Sequence, residues 1–245
     1  MSLHSKHMLG NLVFYSDRED KWIDAIGPTV RKYFEDFVGP SPLGADNADP
    51  LGWTVTALTG DAGDGTLTAA NEAGGAIIIT TDSTENDGIN ITWNNEAFTL
   101  AAGDPCYFGT RLKVSDADAV DLFVGMCITD TEMWGGVTDG IYFNSADAVA
   151  TVTGIAELDS SPSTAGEGTG TGSGTLVDGA YSVLEWYYDG AGTVRFYFDD
   201  VLIDTASTAS DIPIDEPLTF ALELLAGASA AATCTIDWIR VIQCQ

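Results

Sequence analysis

The chain has 245 residues, 45% hydrophobic and 10% aromatic, with 27 glycines and 8 prolines, which suits one large all-β domain better than two small ones. Against 9 Lys+Arg stand 37 Asp+Glu, a formal net charge of -28. Such a surface repels phosphate backbones and anionic lipid heads, so neither nucleic acid nor membrane is expected as a partner.

In chain order, the first segment stands apart by charge. Residues 1–32 hold Lys6, Arg18, Lys21, Arg31 and Lys32, five of the nine basic residues, against four acids, a net of +1; the remainder holds four bases and 33 acids, a net of -29. No apolar run approaches the ~20 residues of a membrane helix, and MSLHSKHMLG lacks the apolar core of a secretory leader, so synthesis and folding in a cytoplasm are expected. In YSDREDKWIDAIGP, Ser16 and Glu19 have capping-box spacing, Trp22, Ile23 and Ile26 form an apolar stripe at helical spacing, and Gly27-Pro28 ends the pattern. A short helix is therefore predicted over about residues 17–26. Two or three turns do not stand alone in water, so the stripe must dock on its own body or on a neighbour.

From Tyr33 onward, β-rich runs such as WTVTAL, INITW, CYFGTRLKV, LFVGMCIT, YSVLEWYY and LTFALELLA recur between Gly, Asp, Asn and Pro punctuation. About a dozen strands with regular turn signals mark an antiparallel sandwich or jelly roll over residues 33–245, preceded by the arm of residues 1–32. The stretch Ser160–Thr175 is Gly/Ser/Thr-rich and lacks the bulk for a core; it reads as a long exposed loop with at most a weak edge strand. In EWYYDGAGTVRFYFDDVLI, alternation on both sides of Asp189-Gly190 predicts a hairpin, and Asp199-Asp200 a second turn. Cys106, Cys127, Cys234 and Cys244 have no CxxC spacing and read as small buried hydrophobes.

Several runs together, YFEDFVG, FGTRLKVSDADAVDLFVGM, DGIYF, the double hairpin and TIDWIRVIQ, resemble the concanavalin A-like lectin/glucanase jelly roll in its laminin-G-like form, over about Tyr33 to Gln243. Within that superfamily, TENDGINITWNNEAFTLAAGDPCYFGTRLKVSDAD, TDGIYF and the ending TIDWIRVIQ are most similar to tailed-phage virion proteins that carry this domain on the head surface. One departure is Asp199-Asp200, where the pattern usually has Asp-Gly; the turn must take a somewhat different geometry or place Asp200 in a left-handed conformation at some cost.

The same sandwich carries hydrolases, lectins and structural domains, so sites must decide between them. The glucanase relatives place two carboxylates on one strand as E-x-D-x-E or E-x-D-x-x-E, and the sequence has neither; Glu185 is the nearest strand acid. His4 and His7, the only histidines, stand in the amino-terminal tail, which reads as an unstructured tip, so the body has no imidazole for a triad or a zinc site. GEGTGTGSG is followed by no Lys-Ser/Thr and cradles no phosphate. The acid-rich loops Asp82–Gly88 and Ser115–Asp121 offer oxygen ligands for calcium without completing a known spacing, and no other cofactor is implied. Of the six tryptophans, Trp134, beside Gly135-Gly136 in a loop, is the candidate for an exposed one, to contact a glycan or else a loop neighbour or another subunit.

These readings lead to the expectation of a non-enzymatic virion protein that decorates or cements a phage head. The arm would attach it, with Arg18, Lys21, Trp22, Ile23, Ile26, Arg31 and Lys32 meeting the major capsid protein and neighbouring copies, a trimer before a dimer. On that reading the arm is dispensable for folding of the body. The alternative is a lectin-like glycan-binding module or a tail-fibre adhesin.

Overall fold

The computed structural model describes residues 2–38, 52–58, 65–145, 149–163, 172–208, 210–228 and 230–245. The described residues contain twenty strands and no helix. The first four strands are β1 (Leu3–Met8), β2 (Asn11–Ser16), β3 (Trp22–Ile26) and β4 (Val30–Glu35). Then come β5 (Trp53–Leu58), β6 (Thr66–Ala69), β7 (Ile77–Thr80), β8 (Gly88–Trp93), β9 (Phe98–Thr99), β10 (Cys106–Val114), β11 (Val120–Cys127) and β12 (Gly140–Ser145). The chain closes with β13 (Thr151–Leu158), β14 (Ser161–Pro162), β15 (Gly174–Thr175), β16 (Ser182–Tyr188), β17 (Val194–Phe198), β18 (Val201–Ala206), β19 (Pro217–Ala226) and β20 (Thr233–Cys244).

Two large antiparallel sheets make the jelly-roll sandwich. The eight-stranded sheet runs β18-β17-β16-β10-β20-β7-β6, with β4 also on β20; the nine-stranded sheet runs β14-β13-β12-β11-β19-β8-β5, with β15 on β13 and β9 on β19. Period-two alternation puts one side of each sheet into the shared core. From β10 come Phe108, Leu112 and Val114, from β16 Leu184 and Trp186, and from β19 Phe220, Leu222 and Leu224. Phe108 stacks on Trp186 at 5.7 Å within its own sheet and on Phe220 at 6.2 Å across the core. All four cysteines are free and buried, as their strand context predicts. Residues 164–171 of the Gly/Ser/Thr-rich stretch lie outside the described residues, while its ends form β14 and β15, two short pairings on β13.

One close approach has a measurable consequence. Gly154 in β13 faces the core, where an added Cβ would lie 2.3 Å from Cγ of Phe196 in the opposite sheet. Phe196 is fully buried edge-on against Phe143 and has no room to retreat. Gly154→Ala is expected to destabilise the fold by about 1–3 kcal/mol through overpacking, read as a lower thermal midpoint.

The helix predicted over residues 17–26 is not formed. Ser16 closes β2, residues 17–21 make a turn with Asp17 at φ 64°, and Trp22–Ile26 is strand β3. The helical spacing came from a β-bulge: Tyr15 pairs with Trp22 and Phe14 with Asp24, leaving Ile23 as the extra residue. Trp22 and Ala25, three apart in sequence, thereby reach one side of the strand and are both buried, whereas Ile26 is 59% exposed.

The strands β1, β2 and β3 form a third sheet, which packs on the outer face of the eight-stranded sheet. Val13, Trp22 and Ala25 cover Tyr107, Tyr187, Ile242 and Cys244. The His4–His7 segment is therefore part of β1 and not an unstructured tip. The chain continues directly into β4, which pairs with the carboxyl-terminal half of β20 from Cys244↔Val30 to Ile239↔Glu35.

The double hairpin is formed as predicted. Gly190 and Gly192 take positive φ in the first turn, and both Asp199 (46°) and Asp200 (68°) are left-handed in the second. The Asp199 carboxylate accepts the Val183 N–H at 2.7 Å, which secures the strained turn.

Candidate functional site

Outward-facing positions of the two sheets have different fates. On the eight-stranded sheet, Glu185 of β16 is buried beneath the small sheet and fully used. Its Oε1 accepts the Tyr107 hydroxyl at 2.6 Å, its Oε2 pairs with the Arg18 guanidinium, and Lys21 Nζ stands 3.9 Å away. Arg18 also bonds Asp20 at 3.0 Å and lies 3.4 Å over the Tyr197 ring, while Lys21 pairs with Asp200 at 2.6 Å. Burial raises the Glu185 pKa and Arg18 opposes that rise. Both carboxylate oxygens of Glu185 are thus taken within the chain.

On the nine-stranded sheet the outward positions of β11, β12, β13 and β19 present Phe123, Tyr142, Asn144, Ile155, Glu157 and Glu223. The segment of residues 128–139, between β11 and β12, folds over them. Glu223 holds it: one carboxylate oxygen accepts the Met133 N–H at 2.7 Å and the other the Trp134 N–H at 3.1 Å. Asn90 Nδ2 donates to the Asp130 carbonyl and Glu96 accepts the Thr129 N–H, pinning the same segment further along. Met133 and Val137 pack against Phe123, Cys127 and Tyr142. Gly135 at φ 72° turns the chain, and Gly136 passes where a Cβ would lie 2.3 Å from the Glu132 carbonyl, so Trp134 is held by a rigid segment.

Between this segment and the sheet lies a cavity of about 320 Å³, lined among others by Phe123, Trp134, Tyr142, Asn144, Ile155 and Glu157. Phe123 and Tyr142 stack at 4.3 Å. The Tyr142 hydroxyl donates to Glu157 at 2.6 Å. Burial raises the Glu157 pKa, the Tyr142 bond opposes the rise, and the charge of Asp139 adds to it. Glu223 is pushed up to about 7 by burial against the two N–H bonds, with Glu132 and Asp130 adding to the rise. The indole Nε1 of Trp134 is buried and has no hydrogen-bond partner among the described residues, a donor that a bound hydroxyl would satisfy. The arrangement is an aromatic-walled recess with a carboxyl group kept protonated more readily than usual.

The structure thus places Trp134 at a cavity. Of the arm residues, Arg18, Lys21 and Trp22 make their contacts within the chain, and Ile23 is the half-buried bulge. Ile26, Arg31 and Lys32 are exposed, with Lys32 paired to Asp24 at 2.6 Å and Arg31 donating to the Ala97 carbonyl at 3.3 Å. His4 and His7 fall on opposite faces of β1 and cannot share a metal. In the two loops considered for calcium, Asp82, Asp116 and Asp118 accept backbone N–H groups, and the described residues bring no three His, Cys, Asp or Glu together. Sequence reasoning passed over Glu157 and Glu223. A single acid inside an apolar run, as in LTFALELLA, was the available signal, because an isolated carboxylate in a strand needs an arranged partner.

No protein-family model and no curated protein sequence matches the chain. Solved structures do. An endo-1,3-beta-glucanase from Streptomyces sioyaensis superposes with a TM-score of 0.61 at 13% identity, covering 91% of this chain and 100% of that one. A laminarinase from a Flavobacterium species gives 0.57 at 15%, covering 85% and 98%. A glycoside hydrolase family 16 endo-glucanase from Bacteroides ovatus gives 0.57 at 12%, covering 85% and 99%. The concanavalin A-like jelly roll of the resemblance is therefore the fold of this chain. No phage decoration protein stands among these structures, and neither the capsid role nor the trimer that went with it gains support from them. The expectation of a protein without enzymatic activity is contradicted by the same likeness, since the three superposing structures are an endo-1,3-beta-glucanase, a laminarinase and an endo-glucanase.

Proposed function

We propose that the protein is carbohydrate-active and that it holds a polysaccharide chain in the recess between residues 128–139 and the nine-stranded sheet. The observation that carries this reading is Trp134, held at the cavity by the Glu223 clasp with its indole N–H unpartnered. Sugar rings pack flat on aromatic faces, and their hydroxyls need fixed donors and acceptors. Trp134, Tyr142, Asn144 and Glu157 supply both kinds of contact. The glucanase activity of the superposing structures agrees with this chemistry.

Hydrolysis is the second step of the reading, and Glu157 favours it. A carboxyl group whose pKa is raised by burial, beside a second carboxylate at Asp139, is the environment that glycoside cleavage uses. Glu157 would protonate the glycosidic oxygen as its bond to the anomeric carbon breaks, and water adding at that carbon would return its proton to the Glu157 carboxylate.

The test is a panel of soluble polysaccharides, laminarin first, scored for binding by affinity electrophoresis and for release of reducing ends. Trp134→Ala is expected to weaken binding about tenfold or more. Glu157→Gln, which keeps an acceptor for the Tyr142 hydroxyl, is expected to release no reducing ends while polysaccharide still retards it. A wild-type protein whose migration no polysaccharide retards would refute the recess as a glycan site.

A further inference from the structure

The nine basic side chains of this acidic protein are not scattered. Lys32, Arg111, Lys113, Arg195 and Arg240 stand on outward positions of the eight-stranded sheet, and Lys6, Arg18 and Lys21 belong to the small sheet docked on that same face. Eight of the nine therefore share one side of the molecule, with Arg31 the exception. Beside the docked sheet, the part of the face that the described residues leave open is a strip in which cations and aromatic rings alternate.

Arg240 is at its centre, with its guanidinium carbon 5.2 Å from the Phe34 ring and 5.1 Å from the Trp238 ring. Trp238 is paired in register with Arg111, whose guanidinium lies 3.9 Å over Tyr181. Lys32, 5.4 Å from Phe34, and Lys113, 4.5 Å from Tyr181, close the two ends. Lys32, Arg111 and Lys113 are neutralised by Asp24, Asp237 and Glu72. Arg240 has no carboxylate within 4.0 Å among the described residues, in a chain where acids outnumber bases 37 to 9. Phe34 is 43% exposed beside it, and the glycine at position 109 leaves the Trp238 ring lying over bare backbone.

We propose that this strip is a second binding surface, for a polysaccharide that carries carboxylate or sulfate groups. Sugar rings lie on Phe34 and Trp238, and an acid group takes the open guanidinium of Arg240. The rings supply stacking area, and the guanidinium supplies a planar fork that matches a carboxylate or sulfate. The acidic remainder of the surface repels such a polysaccharide, and at physiological salt that repulsion is screened beyond about 8 Å, so the contact at Arg240 is decided locally. The strip and the recess are on opposite sheets, so this proposal does not depend on the recess.

The measurement is calorimetric titration with alginate, a uronate polymer, with dextran sulfate, and with neutral laminarin, at ~0.15 M salt. Wild-type protein is expected to bind at least one of the two acidic polymers, alginate identifying carboxylate as the preferred group and dextran sulfate identifying sulfate. Arg240→Gln, a surface change that leaves the core untouched, is expected to reduce that binding about tenfold. Trp238→Ala should reduce it comparably with the circular dichroism spectrum unchanged, and Trp134→Ala should leave it intact. Loss of laminarin binding in Trp134→Ala alone concerns the recess and not the strip. The proposal is overturned if neither acidic polymer binds, if binding survives Arg240→Gln at full strength, or if Arg240→Gln instead abolishes self-association measured by sedimentation.

Discussion

A chain that begins at Thr29 is expected to lose on the order of 5 kcal/mol of stability. The three strands it lacks cover Tyr107, Tyr187 and Ile242, each now buried under Val13, Trp22 or Ala25. Returning three large apolar side chains to water costs about 1.5–3 kcal/mol apiece. Trp22 contributes further through its edge contact with Tyr187 at 5.4 Å. The ion pairs add less than their number suggests, because Glu185 also regains water when Arg18 and Lys21 leave. Since whole domains are stable by only about 5–15 kcal/mol, the shortened chain should melt early, expose apolar surface to a fluorescent dye and tend to aggregate. An unchanged urea midpoint would mean that the small sheet is an appendage, as the charge split of the sequence suggested. The contacts argue the other way: the basic residues of the arm are matched to acids of its own body, Glu185 and Asp200.

The second large effect is a pH dependence set by Glu223. Its pKa, about 7 in the fold against an ordinary 4.5, is raised by burial more than the Met133 and Trp134 N–H groups lower it. A carboxyl group with a raised folded pKa binds its proton more tightly in the native state, so stability falls as pH rises through the interval between the two values. The full cost is reached near pH 7 and amounts to roughly 3 kcal/mol, while below about 4.5 it disappears. Glu157 and Glu185 are shifted in the same direction and add to the wild-type slope. The comparison that isolates Glu223 is therefore with Glu223→Gln, which cannot ionise. Urea unfolding at pH 5 and pH 8 should show the wild type losing roughly 2–3 kcal/mol more than the variant across that span. Equal slopes in the two proteins would show that the two backbone donors keep Glu223 ionised throughout. The variant should also be weaker than wild type at pH 5, because its amide places a second N–H against one of the two donors it replaces as acceptor.

Much of this architecture was written in local pattern. Alternation in CYFGTRLKV, YSVLEWYY and TVRFYF fixes which side of β10, β16 and β17 faces the core, since a period of two leaves no other choice. The turns followed from Asp-Gly and Asp-Asp chemistry, and of the two geometries open to Asp199-Asp200 the fold takes the left-handed one. Burial of the cysteines followed from the strands that carry them. Trp134 was legible as a residue outside the core because Gly135-Gly136 breaks the strand after it. What the tertiary structure alone decided was where unlike segments meet. A bulge at Ile23 gives a strand the three-residue spacing of a helix, and only pairing with β2 tells them apart. Glu223 and Trp134 are 89 residues apart, and Glu185 and Arg18 are 167 apart, so neither clasp leaves a mark in a local window. The same holds for the gathering of eight cations on one face: sequence gives the count and sign of charge, but side-chain direction within a closed sandwich sets its distribution in space.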